Sequence, residues 1–173
     1  MKRHLCYCLA ATIIFTACTS PLPPEPTSQL ETVTLNTVKI VAGQTVYVPV
    51  YSHVYSPDRN QRLELSVTLS IRNTDRTQRM ILTTVNYYNT NGEQIRQYLT
   101  QPVELRPLAS VDFVINRDDT SGGAGANFIV EWVSERQVSN PVIEALMIST
   151  AGNQGISFIS DGRVIKSRAT KSK

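Results

Sequence analysis

The sequence predicts an all-β domain, an immunoglobulin-like β-sandwich of about seven or eight strands, set behind a signal peptide and a proline-rich tether. Three observations carry that expectation. Leu63, Leu65, Val67, Leu69 and Ile71 alternate with Glu64, Ser66, Thr68, Ser70 and Arg72, the period of two that turns one face of a strand to a core and the other to water. Turn-forming clusters recur between the apolar runs: Ser56-Pro57-Asp58, Asn73-Thr74-Asp75, Asn91-Gly92, Arg106-Pro107, Asn140-Pro141, Gly152-Asn153 and Asp161-Gly162. Between these clusters helical periodicity is almost absent.

The chain opens with residues 1–17, which read as a lipoprotein signal peptide. Lys2, Arg3 and His4 precede the apolar stretch Leu5 to Ala17, which is shorter than the roughly 20 apolar residues a membrane span requires. Phe15-Thr16-Ala17-Cys18 resemble the bacterial lipobox, with Phe15 where Leu is usual. Ordinary signal cleavage wants a small side chain three residues before the cut, and Phe15 is too large for it. The alternative is that Cys18 is a chance cysteine at the end of an ordinary signal. A diacylglycerol on the Cys18 thiol, with an acyl chain such as palmitate on the new N-terminus, would anchor the chain at about 0.8 kcal/mol per buried methylene. By resemblance to lipoprotein sorting in two-membrane bacteria, Thr19 in place of Asp favours the periplasmic face of the outer membrane. Cys6 and Cys8 leave with the signal and Cys18 is consumed by lipid, so no disulfide is expected in the mature chain.

Residues 18–39 form the lipidated N-terminus and linker, in which Pro21, Pro23, Pro24 and Pro26 favour an extended, semi-rigid tether. Residues 40–165 form the sandwich domain, long enough for one ordinary core, and residues 166–173 read as a basic tail. Within the domain, strand-like runs follow at Val46 to Tyr51, Leu63 to Arg72, Met80 to Tyr88, Val111 to Ile115, Phe128 to Val133, Val142 to Ser149 and Ile156 to Ser160. Pro49 cannot donate to a sheet ladder, which places the first run at a sheet edge. Asn91-Gly92 and Asp161-Gly162 suit type I′ hairpin turns, joining Met80–Tyr88 to Ile95–Leu99 and Ile156–Ser160 to Arg163–Ile165. Asn140-Pro141 has the form of a helix start, yet the neighbouring strands need a partner and favour a strand from Val142. Trp132 falls within a late strand.

Charge excludes some classes of partner. Loss of Lys2 and Arg3 with the signal lowers the formal charge from +3 to +1, so nothing points to nucleic acid. Residues 40–165 contain no Lys, and all their positive charges are Arg, which suits paired Arg and carboxylate side chains on strand surfaces or, alternatively, a ligand-binding Arg cluster.

Residue types also limit the chemistry. His53 is the one histidine left after cleavage, so His/Cys metal sites are not expected, and no cofactor is implied. No G-x-S-x-G elbow accompanies His53, which reads as a surface or packing residue. No catalytic residue is assigned. The segment Arg117 to Asn127 is the most unusual in the domain, with Asp118, Asp119, Gly122, Gly123, Gly125 and Asn127 as candidates for a partner-binding loop. It lacks the Lys-Ser or Lys-Thr of a phosphate loop, and Ile129 and Val130 stand where an EF-hand needs Glu. A plain glycine-rich connection and a calcium site are the alternatives. Glu131 and Glu144 lie on successive expected strands, where they could face one another as a carboxylate pair or pair separately with Arg such as Arg136. Tyr47, Tyr51, Tyr55, Tyr87, Tyr88 and Tyr98 could form a binding platform or simply pack.

Tyr87-Tyr88, Leu105-Arg106-Pro107-Leu108, the run from Gly122 through Asn127 to Trp132, and Gly155-Ile156-Ser157-Phe158 resemble a family of bacterial proteins classed as a domain of unknown function, many of them expected lipoproteins. The resemblance spans roughly Gln44 to Ile165 and implies a domain extent and an envelope location, but no activity. The function expected is a membrane-anchored, non-enzymatic binding or scaffold module, recruiting an envelope protein or polysaccharide through the Asp118–Asn127 loop or an exposed strand edge, its oligomeric state open. The contrasting expectation is an envelope hydrolase of glycan or peptide using Asp119, Glu131 or Glu144, for which two carboxylates must converge in one cleft.

Overall fold

The computed structural model describes residues 30–55, 60–150 and 155–169. The signal peptide, Cys18 and the proline-dense tether lie outside the described residues, as do the turns at Ser56-Pro57-Asp58 and Gly152-Asn153.

The described residues form twelve strands: β1 (Ala42–Pro49), β2 (His53–Tyr55), β3 (Arg62–Glu64), β4 (Ser66–Arg72), β5 (Met80–Tyr88), β6 (Gln94–Gln97), β7 (Val103–Leu105), β8 (Ser110–Ile115), β9 (Asn127–Ser134), β10 (Val142–Ser149), β11 (Ile156–Asp161) and β12 (Arg163–Ala169). The expectation of about seven or eight strands is exceeded chiefly because β2, β3 and β7 are three residues each, too short to show a period. A six-stranded sheet runs β12-β1-β9-β5-β6 with β7 also paired to β5, and a four-stranded sheet runs β11-β10-β4-β8. A ribbon of β2 and β3 stands beside them. Every pairing is antiparallel. No helix among the described residues is long and apolar enough to cross a membrane.

One core joins the two larger sheets. The six-stranded sheet contributes Val46, Val48, Leu82, Val85, Tyr87, Phe128, Val130 and Trp132; the four-stranded sheet contributes Val67, Leu69, Ile71, Phe113, Ile115, Ala145 and Met147. The alternation is realised from Leu65 to Ile71, all four apolar residues being fully buried, but the expected single run from Leu63 to Arg72 breaks at Leu65: Leu63 lies half-buried on β3, which pairs with β2 in the ribbon. The segment from Val142 is a strand, and Trp132 lies buried on β9.

Four expectations are corrected. First, β1 is not an edge strand but lies between β12 and β9. Pro49 is tolerated because β12 pairs with β1 only as far as Tyr47, so no ladder bond is asked of the proline nitrogen on that side. Second, Asp161-Gly162 is not a hairpin: β11 pairs with β10 in one sheet and β12 with β1 in the other, so the dipeptide carries the chain across the core edge. Gly162 is needed for close approach, since a Cβ there would lie 2.6 Å from the Ile143 carbonyl oxygen and 2.7 Å from Val46. Third, Asn91-Gly92 does join β5 to β6, but not as a type I′ turn, because only Gly92 has positive φ, at 81°. The Asn89 carbonyl accepts the Gly92 N–H at 3.0 Å and the Asn89 side chain accepts the N–H groups of Asn91 and Glu93, closing a longer loop in which only the glycine must be left-handed. Fourth, Lys166 to Ala169 belong to β12 rather than to a tail, and the end of the expected linker packs on the domain. Val33 donates to the Pro102 carbonyl and Glu104 to the Glu31 carbonyl, both at 2.8 Å.

Candidate functional site

The loop from Arg117 to Asn127 connects β8 to β9 and is tied down along its length. The Gly122 carbonyl accepts the Thr90 N–H at 2.9 Å and the Thr90 hydroxyl at 3.0 Å, and Thr90 Oγ1 accepts the Gly125 N–H at 3.0 Å. Ser52 donates its N–H to the Gly123 carbonyl, and Val50 to the Ala126 carbonyl, each at 3.0 Å. A Cβ on Gly122 would fall 1.8 Å from the Tyr87 hydroxyl, which shares a buried 3.0 Å hydrogen bond with Ser52 Oγ. Gly123 takes a φ of 76°. Both glycines are therefore required by the packing of the loop on its own domain.

Of the other loop residues, Asp118 is exposed and Asn127 starts β9 opposite Pro49 and Tyr88. Asp119 accepts the Ser121 N–H and hydroxyl and pairs with Arg96 at 2.7 Å. Burial pushes the Asp119 carboxyl upward, but the Ser121 and Arg96 bonds outweigh it and hold the group below the usual carboxylate range.

The three carboxylates of the hydrolase expectation are not brought together. Glu131 lies on β9 of the six-stranded sheet, accepting the Thr45 hydroxyl at 3.0 Å and the Thr84 hydroxyl at 3.2 Å; Arg136 is not its partner. Glu144 lies on β10 of the four-stranded sheet, 3.2 Å from Arg72, and β9 and β10 do not pair. Asp119 stays in the loop on Arg96. Arg79 likewise bridges Glu104 and Glu135, and Arg106 pairs with Glu31, so Arg72, Arg79, Arg96 and Arg106 all pair with neighbouring carboxylates.

His53 is buried, 6% exposed, and among the described residues neither ring nitrogen has a hydrogen-bond partner. Its ring stands edge-on to Tyr55 at 5.3 Å. Burial, with a smaller contribution from Arg62, holds its pKa below the ordinary 6.5 against the opposing effect of Glu64. It is a packing histidine. The tyrosines do not gather into one platform: Tyr87 is in the core, Tyr51 packs on Phe158, and Tyr98 packs on Phe113 and Phe128.

Two surface features were not anticipated. A depression of about 290 Å³ is lined by Thr77, Arg79, Ile81, Pro107, Glu135 and Arg136, where Arg79 is already bonded to two carboxylates. The second is the outer face of the four-stranded sheet. Ile159 of β11 lies opposite Leu146 of β10, Leu146 opposite Thr68 of β4, and Thr68 opposite Val114 of β8, so the four side chains form one row across the sheet. Ile159, Leu146 and Val114 are 59%, 38% and 48% exposed, and Ile148 and Val142 of β10 add exposed aliphatic surface to the same face. The signal for this was the nearly unbroken apolar run Val142 to Ile148: a strand without alternation is apolar on both faces.

These features define an all-β domain of several antiparallel sheets with a packed glycine loop and an aliphatic outer sheet face. The chain belongs to the family described as "Protein of unknown function (DUF3124)", whose model it matches over residues 43–165. No curated protein matches it. Among solved structures it is similar to the "Crystal Structure of Thermotoga maritima 1070", at 15% identity and a TM-score of 0.38, over 69% of this chain and 92% of that one.

Proposed function

We propose that this protein is a membrane-tethered, non-enzymatic binding module of the bacterial cell envelope, and that it takes a protein partner on the outer face of the four-stranded sheet. The observation that carries this reading is the row Ile159, Leu146, Thr68 and Val114, with Ile148 and Val142 beside it. Aliphatic side chains on a solvent-facing sheet add nothing to the core, and a contiguous patch of them is the common mark of an interaction surface. Aliphatic groups, rather than aromatic rings with amides, favour a protein over a polysaccharide. The separate partners of Asp119, Glu131 and Glu144 support a non-enzymatic role. The two sheets around one core support an immunoglobulin-like sandwich, an architecture on which recognition surfaces are readily built.

The tether rests on the sequence. Leu5 to Ala17 followed by Cys18 support export and lipid attachment, and Thr19 supports the outer membrane, periplasmic face. With a lipid anchor and a proline-rich spacer, the domain stands off the membrane and its outer sheet face is free to meet a partner.

The test is affinity capture from the solubilised native envelope, comparing the unaltered chain with Leu146→Asp plus Ile148→Asp. Both side chains face solvent, so the variant keeps its core. The reading expects one dominant co-purifying protein to be lost from the variant while membrane attachment is unchanged. Identical protein sets from the two chains would reject it.

A further inference from the structure

We infer that the end of the domain at which the tether joins settles on the bilayer surface, its basic side chains on acidic phospholipid headgroups and Leu108 reaching between them. The inference deepens the membrane-tethered reading, on which it rests, by fixing which end of the domain faces the lipid.

The strand register defines that end. Met80 at the start of β5 pairs with Leu105 at the end of β7, and Ala42 at the start of β1 pairs with Ser134 and Ala169, the last residues of β9 and β12. The Asn73 side chain ties the end of β4 to the same place, donating to the carbonyls of Gln78, Leu105 and Arg106. Leu30 packs against the core, the Glu31 carbonyl accepts the Glu104 N–H, and the Glu31 carboxylate pairs with Arg106. The chain from Cys18 therefore joins the domain beside the turn Arg106-Pro107-Leu108-Ala109.

Charge selects the occupant. At this end Glu31, Glu104 and Glu135 are taken up by Arg79 and Arg106, and the Asp75 carboxylate accepts the N–H groups of Thr77, Gln78 and Ser139. Lys39, Arg76, Arg136 and Arg168 are exposed, and no carboxylate pairs with them among the described residues. Lys171 and Lys173 follow β12 in the sequence. The opposite end, made of the Asn89–Glu93 turn, the glycine loop and the β2–β3 ribbon, carries exposed Glu64, Glu93 and Asp118 against Arg62 and Arg117. An acidic lipid surface attracts clustered Lys and Arg within about a Debye length, so its field turns the basic end toward the lipid and the acidic end away. The proline-rich spacer sets how far the domain can stand off, and this attraction favours the settled state. With that end down the strands stand upright, and the outer face of the four-stranded sheet stays clear of the lipid.

Leu108 supplies the apolar contact. At 66% it is the most exposed large apolar side chain among the described residues, and its φ of 58° is strained for a leucine. The Asp75 carbonyl holds its N–H, Arg76 follows Asp75 in the chain, and Pro107 and Arg136 line one depression, so Leu108 stands among cations. A glycine would hold this turn without strain, so the fold itself gives no reason for a leucine here. An aliphatic side chain flanked by Arg is the pattern that sinks into the boundary between headgroups and acyl chains.

The experiment uses the full acylated chain, reconstituted into vesicles of phosphatidylcholine alone or of phosphatidylcholine with phosphatidylglycerol. A fluorophore is attached at Gln137→Cys, beside Arg136, or at Asn91→Cys in the turn at the opposite end, and its quenching by a headgroup-labelled lipid is read. In the acidic vesicles, quenching at position 137 is expected to exceed that at position 91 severalfold, and to be lost in molar salt and in phosphatidylcholine alone. Arg76→Gln with Arg136→Gln and, separately, Leu108→Gly are expected to lower it, while flotation with both kinds of vesicle, held by lipid on Cys18, is unchanged. Equal quenching at the two positions, or quenching at 137 indifferent to lipid charge, salt and these substitutions, would overturn the contact and leave the tether in place. A chain that floats with neither vesicle would overturn the tethered reading, and the contact with it.

Discussion

At the scale of single residues, the glycine loop is explained by steric contact with its own domain. Gly122→Ala drives a methyl group into the Tyr87 hydroxyl, and the Tyr87 ring is fully buried against Phe128, 5.0 Å between centroids, with no room to retreat. Urea unfolding of Gly122→Ala is expected to show a loss of about 1–3 kcal/mol. Combining it with Tyr87→Phe, which removes the clashing oxygen, should cost less than the sum of the two; strict additivity would mean that the contact does not exist. His53 gives a pH dependence of known sign. Its folded pKa lies below 6.5, so the unfolded chain binds the extra proton, and stability complete above pH 6.5 falls as the pH drops below it. Chemical denaturation at pH 7.5 and 5.5 is expected to show that fall in the unaltered protein and a smaller one in His53→Phe. Equal falls would place the titration on another group. Neither relation was legible in the sequence, which marks Gly122 and His53 as unusual without showing that Tyr87 meets the first and that the second is buried beside the Tyr55 ring.

Among elements, legibility followed strand length. β4, β5, β8, β9 and β10 declare themselves because each has at least six residues of recognisable pattern, whereas β2, β3 and β7 are three residues each and are held by their neighbours. Connections were less legible than strands. Asp161-Gly162 has the composition of a hairpin, but the choice between a hairpin and a crossing from sheet to sheet depends on where the next strand finds a partner, here β1. Asn89, two residues before Asn91, shifted the other turn through its own side-chain bonds. The turn from β7 to β8 carries a strain that substitution should release: Leu108 has a φ of 58°, the left-handed region, and its side chain is 66% exposed. Little packing is lost on truncation, so Leu108→Gly is expected to stabilise by about 1 kcal/mol and to raise the melting temperature. A lowered melting temperature would show that the Leu108 side chain contributes more than its exposure indicates.

For the whole molecule, the all-β class and one contiguous core were legible because alternation sorts residues between core and solvent. The candidate site was not. The Asp118–Asn127 loop is conspicuous in the sequence because glycine and aspartate are unusual in a strand-rich chain, yet the loop's glycines and Asp119 are spent on internal contacts. The outer face was hidden because Val114, Leu146 and Ile159 come from three strands, and only the register of β8, β4, β10 and β11 sets them in one row. The central claim, that this face meets a protein, is tested most directly by a photoactivatable crosslinking side chain placed at Leu146 in the full chain and activated in the native envelope, with Thr84 on the outer face of the six-stranded sheet as comparison. The account predicts a discrete protein adduct from position 146 and none from position 84. Adducts from position 84 alone, or none from either, would contradict it.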